Sequence, residues 1–374
     1  MLSKYSYMLF FLLLGISCSQ IKTDASKEVV TLNERKEIPK LLHGYDLVCS
    51  TDLWGMKIDF VNGNQMFIQE LSNTDLYGKF QIRKDTLVRE KGFLKRGNGP
   101  YEVVNPFLWR ANEKDSIYIV NSQGVVTDIY KLHVKDIHSP NSWEKIKFPA
   151  IKEGALIYPS LVMLDNVSCI VTGSVVNDIN ILSQINLRTG EMASLDFNFP
   201  RYNYFSQIKA VEHMAYCDAS VLKRPESTRL LYTCKIGRYV VLLDYDGNKI
   251  NNQTELFSTY PTYNSESNYK LIKENDCLRG VISQVTADFI YCLIIPYTRE
   301  EALNMKEYKG LPNYFGDELV VFNWEGKRIA SYCLDKPICH FNVTPDNKYI
   351  YASTFDEDNI VIRKFILPDT ISSE

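Results

Sequence analysis

The chain has 374 residues, of which 45% are hydrophobic and 23% charged, and this composition supplies enough apolar side chains for a large buried core. Its formal net charge is −3. Because nucleic-acid binding depends on clustered Lys and Arg that meet phosphates, this charge argues against nucleic acid as a partner.

The start of the chain predicts export. The apolar run 7–16 has the length of a signal-peptide core and is too short to span a bilayer. Cys18 follows the sequence Leu-Gly-Ile-Ser, which is similar to a bacterial lipobox except that Gly15 stands where Leu is usual. We predict that residues 1–17 are a lipoprotein signal peptide and that Cys18 is lipidated. The alternative is ordinary secretion with an incidental thiol.

The segment 18–44 is polar and mixed in charge, which predicts a tether between the lipid and the folded domain. No later segment has the ~18 consecutive apolar residues of a membrane-spanning helix, so the lipid is the only membrane attachment that the sequence predicts. Residues 19–24 carry no dense acidic run, which favours a protein that faces the periplasm. We predict a location in the cell envelope at the outer membrane, with the inner membrane as the alternative. Residues 45–374 are predicted to be one domain.

An apolar strand, then Asn or Asp, then Gly recurs along this domain and predicts a repeated β-hairpin. The Asn or Asp side chain bonds the local backbone, and Gly supplies a positive φ. The pattern occurs in 117–126, 181–192, 239–249 and 319–328, and in weaker form in 71–82 and 355–366.

Six hairpins at a spacing of about 55 residues predict an all-β, six-bladed β-propeller, with a β-sandwich as the alternative. The last blade is short of a strand, and we predict that a strand within 45–60 completes it, because closed propellers avoid open sheet edges.

The loop 92–103, GFLKRGNGPYEV, resembles the G-x-G-P-G-E-F loop of TolB-like six-bladed propeller lipoproteins of Bacteroidota. The positions that match are Gly97, Gly99, Pro100 and Glu102, whereas Tyr101 and Val103 depart from the pattern. The turn 344–351 is similar to the S-P-D-G-K-x-I-x turn of the same propellers, with Asn347 in place of Gly. The resemblance implies the fold and an envelope location, and it implies no defined activity.

The same loop has the strongest claim to a binding site. Gly97, Gly99 and Pro100 fix an unusual backbone, so Arg96, Tyr101 and Glu102 are candidate ligand contacts. The alternative, which we favour, is that the glycines make a tight connection between blades and Glu102 bonds the loop amides.

Two later segments predict insertions. REEALNMKEY at 299–308 predicts a short helix, the only one in the sequence pattern. The segments 260–269 and 308–315 are rich in aromatic residues, which suit the recognition of peptides or sugars. The candidate binding residues here are Tyr263, Tyr269, Tyr308 and Tyr314. The alternative is that these rings pack the insertions onto the blades.

Eight cysteines follow Cys18, without a C-x-x-C pair, and most lie in apolar runs, which predicts free buried thiols. Disulfide pairing stays open, with Cys333–Cys339 and Cys277–Cys292 the nearest neighbours in sequence. The five histidines show no metal-ligand spacing, so no metal or cofactor is predicted.

These patterns together predict a lipid-anchored binding module that recognises an envelope protein, a glycan or a peptide through loops on one face, without covalent chemistry. One alternative is a lactonase-like or esterase-like hydrolase, or a lyase, with a divalent metal on the propeller axis. Its candidate donors are Glu102, Asp165, Asn166, Asp218 and Asp346. A second alternative is a structural partner of an outer-membrane complex. No G-x-S-x-G elbow is present, and no catalytic residue is predicted.

Overall fold

Six sheets, each with four antiparallel strands at its centre, follow one another along the chain in a computed structural model. The model describes residues 38–70, 74–110, 115–122, 126–150, 155–175, 178–200, 210–264, 271–304, 307–308, 311–312 and 314–369. These residues belong to one compact unit, Leu32–Glu374. Each sheet contains a four-stranded meander, which we call a blade.

The first half of the chain contains three short N-terminal strands and blades 1 to 3. Three precede the first blade: β1 (Lys40–Leu42), β2 (Gly44–Asp46) and β3 (Val48–Cys49). Blade 1 consists of β4 (Lys57–Asn62), β5 (Gln65–Gln69), β6 (Asp75–Arg83) and β7 (Thr86–Arg89), and β6 also pairs with β8 (Phe93–Arg96), which pairs with β9 (Glu102–Val103). Blade 2 consists of β10 (Pro106–Arg110), β11 (Ser116–Ser122), β12 (Val126–His133) and β13 (Glu144–Lys147), with 3-10 turns at Val134–Asp136 and Pro140–Ser142. Blade 3 consists of β14 (Ala155–Met163), β15 (Ser168–Val175), β16 (Leu182–Asn186) and β17 (Met192–Ser194).

The second half carries the helices. Helix α1 (Ala210–Tyr216) leads into blade 4, which consists of β18 (Ala219–Lys223), β19 (Leu230–Cys234), β20 (Arg238–Tyr245) and β21 (Ile250–Thr259). Blade 5 begins with β22 (Val281–Val285) and β23 (Phe289–Ile294), continues through α2 (Arg299–Asn304), β24 (Glu307–Tyr308) and β25 (Leu311–Pro312), and ends with β26 (Gly316–Asn323) and β27 (Arg328–Ile338). Blade 6 contains β28 (His340–Val343), β29 (Tyr349–Asp356) and β30 (Asn359–Ile366).

The first strands of the blades pack side by side in a ring. Strand β14 contacts β18, which contacts β22; β22 contacts β28, which contacts β4, and β4 contacts β10. The contact of β28 with β4 joins the last blade to the first, so the ring closes. The predicted six-bladed β-propeller is confirmed.

The N-terminal strand completes the last blade, as predicted. Strand β2 pairs antiparallel with β30 and supplies the fourth strand of blade 6. The pairing strand is only Gly44–Asp46, however, and Lys57–Asn62 instead begins blade 1. Lys40–Leu42, which lies in the segment predicted as a tether, pairs with β27.

Six apolar clusters of the core lie one between each pair of neighbouring blades, and a small seventh cluster contains Phe315 and Cys339. Successive side chains of one strand therefore enter different clusters. In β20, Val241 and Leu243 face blade 3, whereas Val240 and Leu242 face blade 5. Because both faces of a blade are buried, its central strands are apolar runs without polar alternation.

The six predicted hairpins exist but are not equivalent. Those at 181–192, 239–249 and 319–328 join the third and fourth strands of a blade. Those at 117–126, 355–366 and 71–82 join the second and third. In the last of these, Gly78 was predicted to lie in the turn but lies inside β6, and residues 71–73 and 123–125 lie outside the described residues. A meander makes similar turns at successive corners, which is why the spacing predicted the number of blades but not the position of each hairpin.

The helical insertion is confirmed near its predicted start but is shorter. Helix α2 covers Arg299–Asn304, and Glu307–Tyr308 is a strand instead. The Thr298 hydroxyl and the Glu301 carboxylate cap the helix reciprocally, with Glu301 N donating to Thr298 Oγ1 (3.2 Å) and Thr298 N to Glu301 Oε2 (2.7 Å). Helix α1 was not predicted from the sequence.

The eight cysteines of the described ranges are all free, and six of them are buried, as predicted; neither neighbouring pair is disulfide-bonded. Among the helices of these ranges, none has the length and apolar character needed to traverse a bilayer.

Candidate functional site

A cavity of about 680 Å³ lies among the first strands of the blades. All six strands contribute to its wall, for example through Asp59, Leu108, Val162, Ser220, Ser283 and Phe341. The first strand of each blade is the innermost one, so its side chains line the propeller axis. We call this cavity the axial channel.

Two insertions form one end of the axial channel, which we call the mouth. The segment 271–280 leads into β22, and the segment 295–315 connects β23 to β26. Their backbones are paired: Arg299 N donates to Cys277 O (2.7 Å), and Arg279 N donates to Tyr297 O (3.2 Å). This pairing joins 277–279 to 297–299 and lies outside the predicted aromatic insertions 260–269 and 308–315.

The charged side chains that border the channel are mainly cationic. The basic residues are Lys57, Lys223, Lys235, Lys273, Arg279 and Arg299, and the acidic ones are Asp59 and Asp218. Six positive and two negative groups give a local excess of +4, in a chain whose net charge is −3.

Both carboxylates are already paired. Lys57 Nζ lies 2.8 Å from Asp59 Oδ1, and Lys235 Nζ lies 2.5 Å from Asp218 Oδ1. The three cations at the mouth, Lys273, Arg279 and Arg299, have no carboxylate partner among the described residues; Arg299 donates to the amide oxygen of Asn275 (2.8 Å). The excess charge is therefore concentrated at the mouth.

His340 adds no charge to the channel at neutral pH. Its partial burial on β28, together with the nearby Lys57 ammonium, lowers the pKa of its imidazole to about 4. Burial also lowers the pKa of Lys223, at the other end of β18.

The loop that contains Arg96, Gly97, Gly99, Pro100, Tyr101 and Glu102 is closed on itself. Glu102 Oε2 accepts a hydrogen bond from Gly99 N (2.9 Å), and Gly97 N donates to Val103 O (3.1 Å). A Cβ added to Gly97 would lie 2.0 Å from Glu102 Oε2. This geometry is that of the structural alternative, in which Glu102 organises the loop.

Tyr101 packs this loop against blade 2, away from the channel. Its backbone has a φ of 61°, and its ring lies edge-on to Trp143 at 6.0 Å between centroids. The residues that border the axial channel include none from 96–102.

The four candidate tyrosines have different environments. Tyr314 borders the axial channel and is 42% exposed. Tyr263 packs against the cluster between blades 3 and 4 and lies edge-on to Tyr216 at 6.4 Å. The backbone of Tyr308 is in β24, whereas its side chain, all of Tyr269 and Cys18 lie outside the described residues.

The five candidate metal donors do not converge. Only Asp218 borders the axial channel. Asp165 accepts hydrogen bonds from the Val167 and Ser168 amides, and Asp346 accepts one from the Thr344 hydroxyl (2.6 Å). Within the described ranges, no group of three or more His, Cys, Asp or Glu side chains is placed to hold a metal ion.

Sequence reasoning missed the cations of the mouth. Lys273, Arg279 and Arg299 belong to no motif, and they meet only because segment 271–280 pairs with the start of α2. The available signal was the Thr298-Arg-Glu-Glu301 capping pattern, which places Arg299 at the first position of a helix.

Six blades around a lined axial channel define a β-propeller with a cavity of ligand size. The family described as "TolB-like 6-blade propeller-like" matches residues 53–346, and the chain belongs to this family. The comparison with curated proteins gave no match.

Several solved structures are similar. An oligogalacturonate lyase in complex with manganese is 11% identical, with 90% of this chain and 98% of that chain covered and a TM-score of 0.43. An auxiliary nutrient binding protein from Bacteroides thetaiotaomicron is 11% identical, with 84% and 69% covered and a TM-score of 0.43. An oligogalacturonate lyase from Vibrio parahaemolyticus is 10% identical, with 88% and 98% covered and a TM-score of 0.41. Likenesses this distant say nothing of what this chain binds.

Proposed function

We propose that the protein is a lipid-anchored binding module of the cell envelope that holds its ligand in the axial channel. The observation that carries this proposal is the channel itself: a cavity of about 680 Å³ bordered by every blade. Pockets for small ligands typically have volumes of about 300–1,000 Å³.

The chemistry of the wall supports a binding role. Apolar side chains such as Phe107, Val162 and Ile282 alternate with the polar groups of Ser160 and Gln284. Apolar walls with a few placed polar groups are typical of pockets that both desolvate and orient a ligand.

The mouth also offers a contact surface. Three apolar side chains on its two segments are exposed: Ile272 (45%), Leu303 (68%) and Tyr314 (42%). Exposed apolar groups around a cavity indicate contact with a ligand or partner. Tyr314 is the predicted binding residue that joins this surface to the channel.

The anchor and the location rest on the N-terminal sequence. The apolar run 7–16 and the small residues before Cys18 support lipidation of that thiol, and segment 18–44 supports a tether, with the domain facing the periplasm of a Gram-negative envelope. The ligand classes expected there are an envelope protein, a glycan or a peptide.

Filling the channel tests this proposal. Ser220 borders the channel on β18, and we expect Ser220→Tyr to occupy the space of the ligand while the blade stays folded. Ser258→Tyr, on the exposed outer strand β21, is the matched control. The purified domain and both variants are tested for binding to a panel of soluble oligosaccharides and short peptides.

We expect a ligand that binds the wild type and Ser258→Tyr to bind Ser220→Tyr at least about tenfold more weakly. The melting temperatures of the three proteins should be equal. Equal binding by a stably folded Ser220→Tyr would show that the channel is not the site. Absence of any ligand in the panel would count against a small-ligand role and favour a structural partner.

A further inference from the structure

We infer that the ligand of the axial channel is a small dianion, whose two carboxylate or phosphate groups are held by Arg279 and Arg299 at the mouth while its uncharged part enters the channel. This inference rests on the proposed function, because it names the ligand of the same cavity.

The backbone places the two guanidinium groups on one side of the paired segments. Leu278 and Thr298 form an antiparallel bridge, so Arg279 and Arg299 are diagonal neighbours across it. Residues at alternate positions of such a pair share a face, and diagonal neighbours are about 7–8 Å apart. Both arginines border the channel.

The guanidinium groups are not neutralised within the described residues. Arg279 has no carboxylate partner there and interacts with the Tyr297 phenol, and Arg299 donates to a neutral amide oxygen. An Arg group without an anion in a partly enclosed site is an unused donor for a planar, two-oxygen acceptor. Carboxylate and phosphate are the acceptors of that shape.

The carboxylates on the same two segments are engaged elsewhere. Asp276 accepts a hydrogen bond from the Thr262 hydroxyl (2.7 Å), and Glu301 accepts one from the Thr298 hydroxyl (3.1 Å). Glu274 and Glu300 are exposed and do not border the channel. These carboxylates therefore lie off the channel wall, where the charged groups that the two segments contribute are Lys273, Arg279 and Arg299.

Lys273 completes the site as a third cation on the channel wall. A cleft lined by one sign of charge concentrates field lines and raises the local concentration of oppositely charged ligands. The wall also contains uncharged residues, such as Ser160, Ser220 and Ser283. This combination suits a ligand with anionic groups at one end and an uncharged remainder, and it disfavours a neutral ligand.

The test uses matched probes and variants. Adipate carries two carboxylates on an uncharged chain, adipamide is its neutral counterpart, and inorganic pyrophosphate supplies phosphate groups. Binding to the purified domain is measured by calorimetry at low and high ionic strength. The variants are Arg279→Gln and Arg299→Gln, and Arg188→Gln on an exposed turn removes the same charge away from the channel.

We expect adipate or pyrophosphate to bind the wild type and Arg188→Gln, and to bind each mouth variant about 10–100-fold more weakly, as for the loss of a charged hydrogen bond. The preferred anion distinguishes a carboxylate from a phosphate ligand. Affinity should fall as ionic strength rises, because the interaction is between charges. Adipamide should not compete.

Three results would overturn the inference. They are equal binding of adipamide and adipate, unchanged anion affinity in both mouth variants, and no binding of either anion to the wild type. If Ser220→Tyr still abolishes capture of another ligand, the channel remains a binding site and only its anion preference is wrong. If Ser220→Tyr has no effect on any ligand, the proposed function fails as well.

Discussion

At the scale of single residues, one arginine connects three strands where the ring closes. Arg363 on β30 lies 2.7 Å from the carboxylate of Asp46 and 2.8 Å from that of Asp335, and it donates to Gly44 O at 2.6 Å. Asp335 belongs to blade 5, whereas Asp46 and Gly44 belong to the strand that completes blade 6. This one guanidinium group thus contacts two carboxylates and one backbone carbonyl at the same time.

This arrangement predicts acid sensitivity. Burial alone would raise the pKa of Asp335, but hydrogen bonds from Arg363 and from the Gly44 amide outweigh it, and the pKa is lowered from 3.8. A carboxyl whose folded pKa is lowered stabilises the fold above its unfolded pKa, and this contribution is lost as pH falls through the folded value. We expect Asp335→Asn to lose about 1–3 kcal/mol of unfolding free energy at neutral pH and to show a smaller further loss below about pH 4 than the wild type.

Denaturant unfolding from pH 2 to 7 measures this effect, with Asp358→Asn on an exposed turn as the control. Identical pH profiles for the wild type and Asp335→Asn would contradict the assigned role of Asp335.

The turn glycines were predictable at this scale because their constraint is local. Gly190, Gly247 and Gly326 have positive φ angles of 77°, 107° and 82°, as their Asn/Asp-to-Gly spacing predicts. Arg279 and Arg299 were not predictable, because 20 positions separate them in the sequence and only tertiary pairing brings them together. A site formed by residues that are distant in the sequence has no sequence motif.

At the scale of secondary-structure elements, the segment 40–49 joins three blades. Strand β1 pairs with β27 of blade 5, β2 pairs with β30 of blade 6, and β3 pairs with β7 of blade 1. The sequence predicted one closing strand from the short last blade. It did not predict the flanking strands, since two or three residues are too few to show an alternating pattern.

Removal of this segment should destabilise the ring. Leu42 is buried in the cluster between blades 5 and 6, and burial of one such side chain contributes about 1.5–3 kcal/mol. We expect a chain that begins at Leu47 to lose at least about 2 kcal/mol of unfolding free energy relative to one that begins at Ile38. Exposure of β30 should also promote aggregation, because an open strand edge pairs with other chains.

Thermal unfolding and light scattering of the two truncated chains measure both effects. Equal melting temperatures and equal solubility would mean that β1 and β2 do not close the ring.

At the scale of the whole molecule, the fold was more predictable from the sequence than the candidate site. The hairpin spacing indicated six blades because each blade repeats the same local turns. The loop 92–103 indicated six blades through its resemblance to six-bladed propellers. The axial channel has no counterpart in the sequence, since every blade contributes only a few residues of one strand to its wall. The candidate site was therefore placed by the structure, apart from Tyr314.

The proposed anchor is also a property of the whole molecule. We expect the wild type to pellet with membranes in the absence of detergent and Cys18→Ala to remain in the soluble fraction, since the thiol is the proposed acceptor of the lipid. Cys49→Ala is the control, because Cys49 lies in the folded domain and should not affect fractionation. Sedimentation of Cys18→Ala with membranes to the same extent as the wild type would rule out this anchor.

The three-blade attachment of segment 40–49 has a mechanical consequence. A force applied to the chain ahead of Lys40 acts first on the pairing of β1 with blade 5, and it reaches β2 and then β3 only after each preceding strand has detached. Tension on the chain ahead of Lys40 is therefore resisted by three sheets in succession. Segment 40–49 spans the junction where the ring closes, so a domain pulled from this end should unfold in steps that begin with the detachment of β1, β2 and β3.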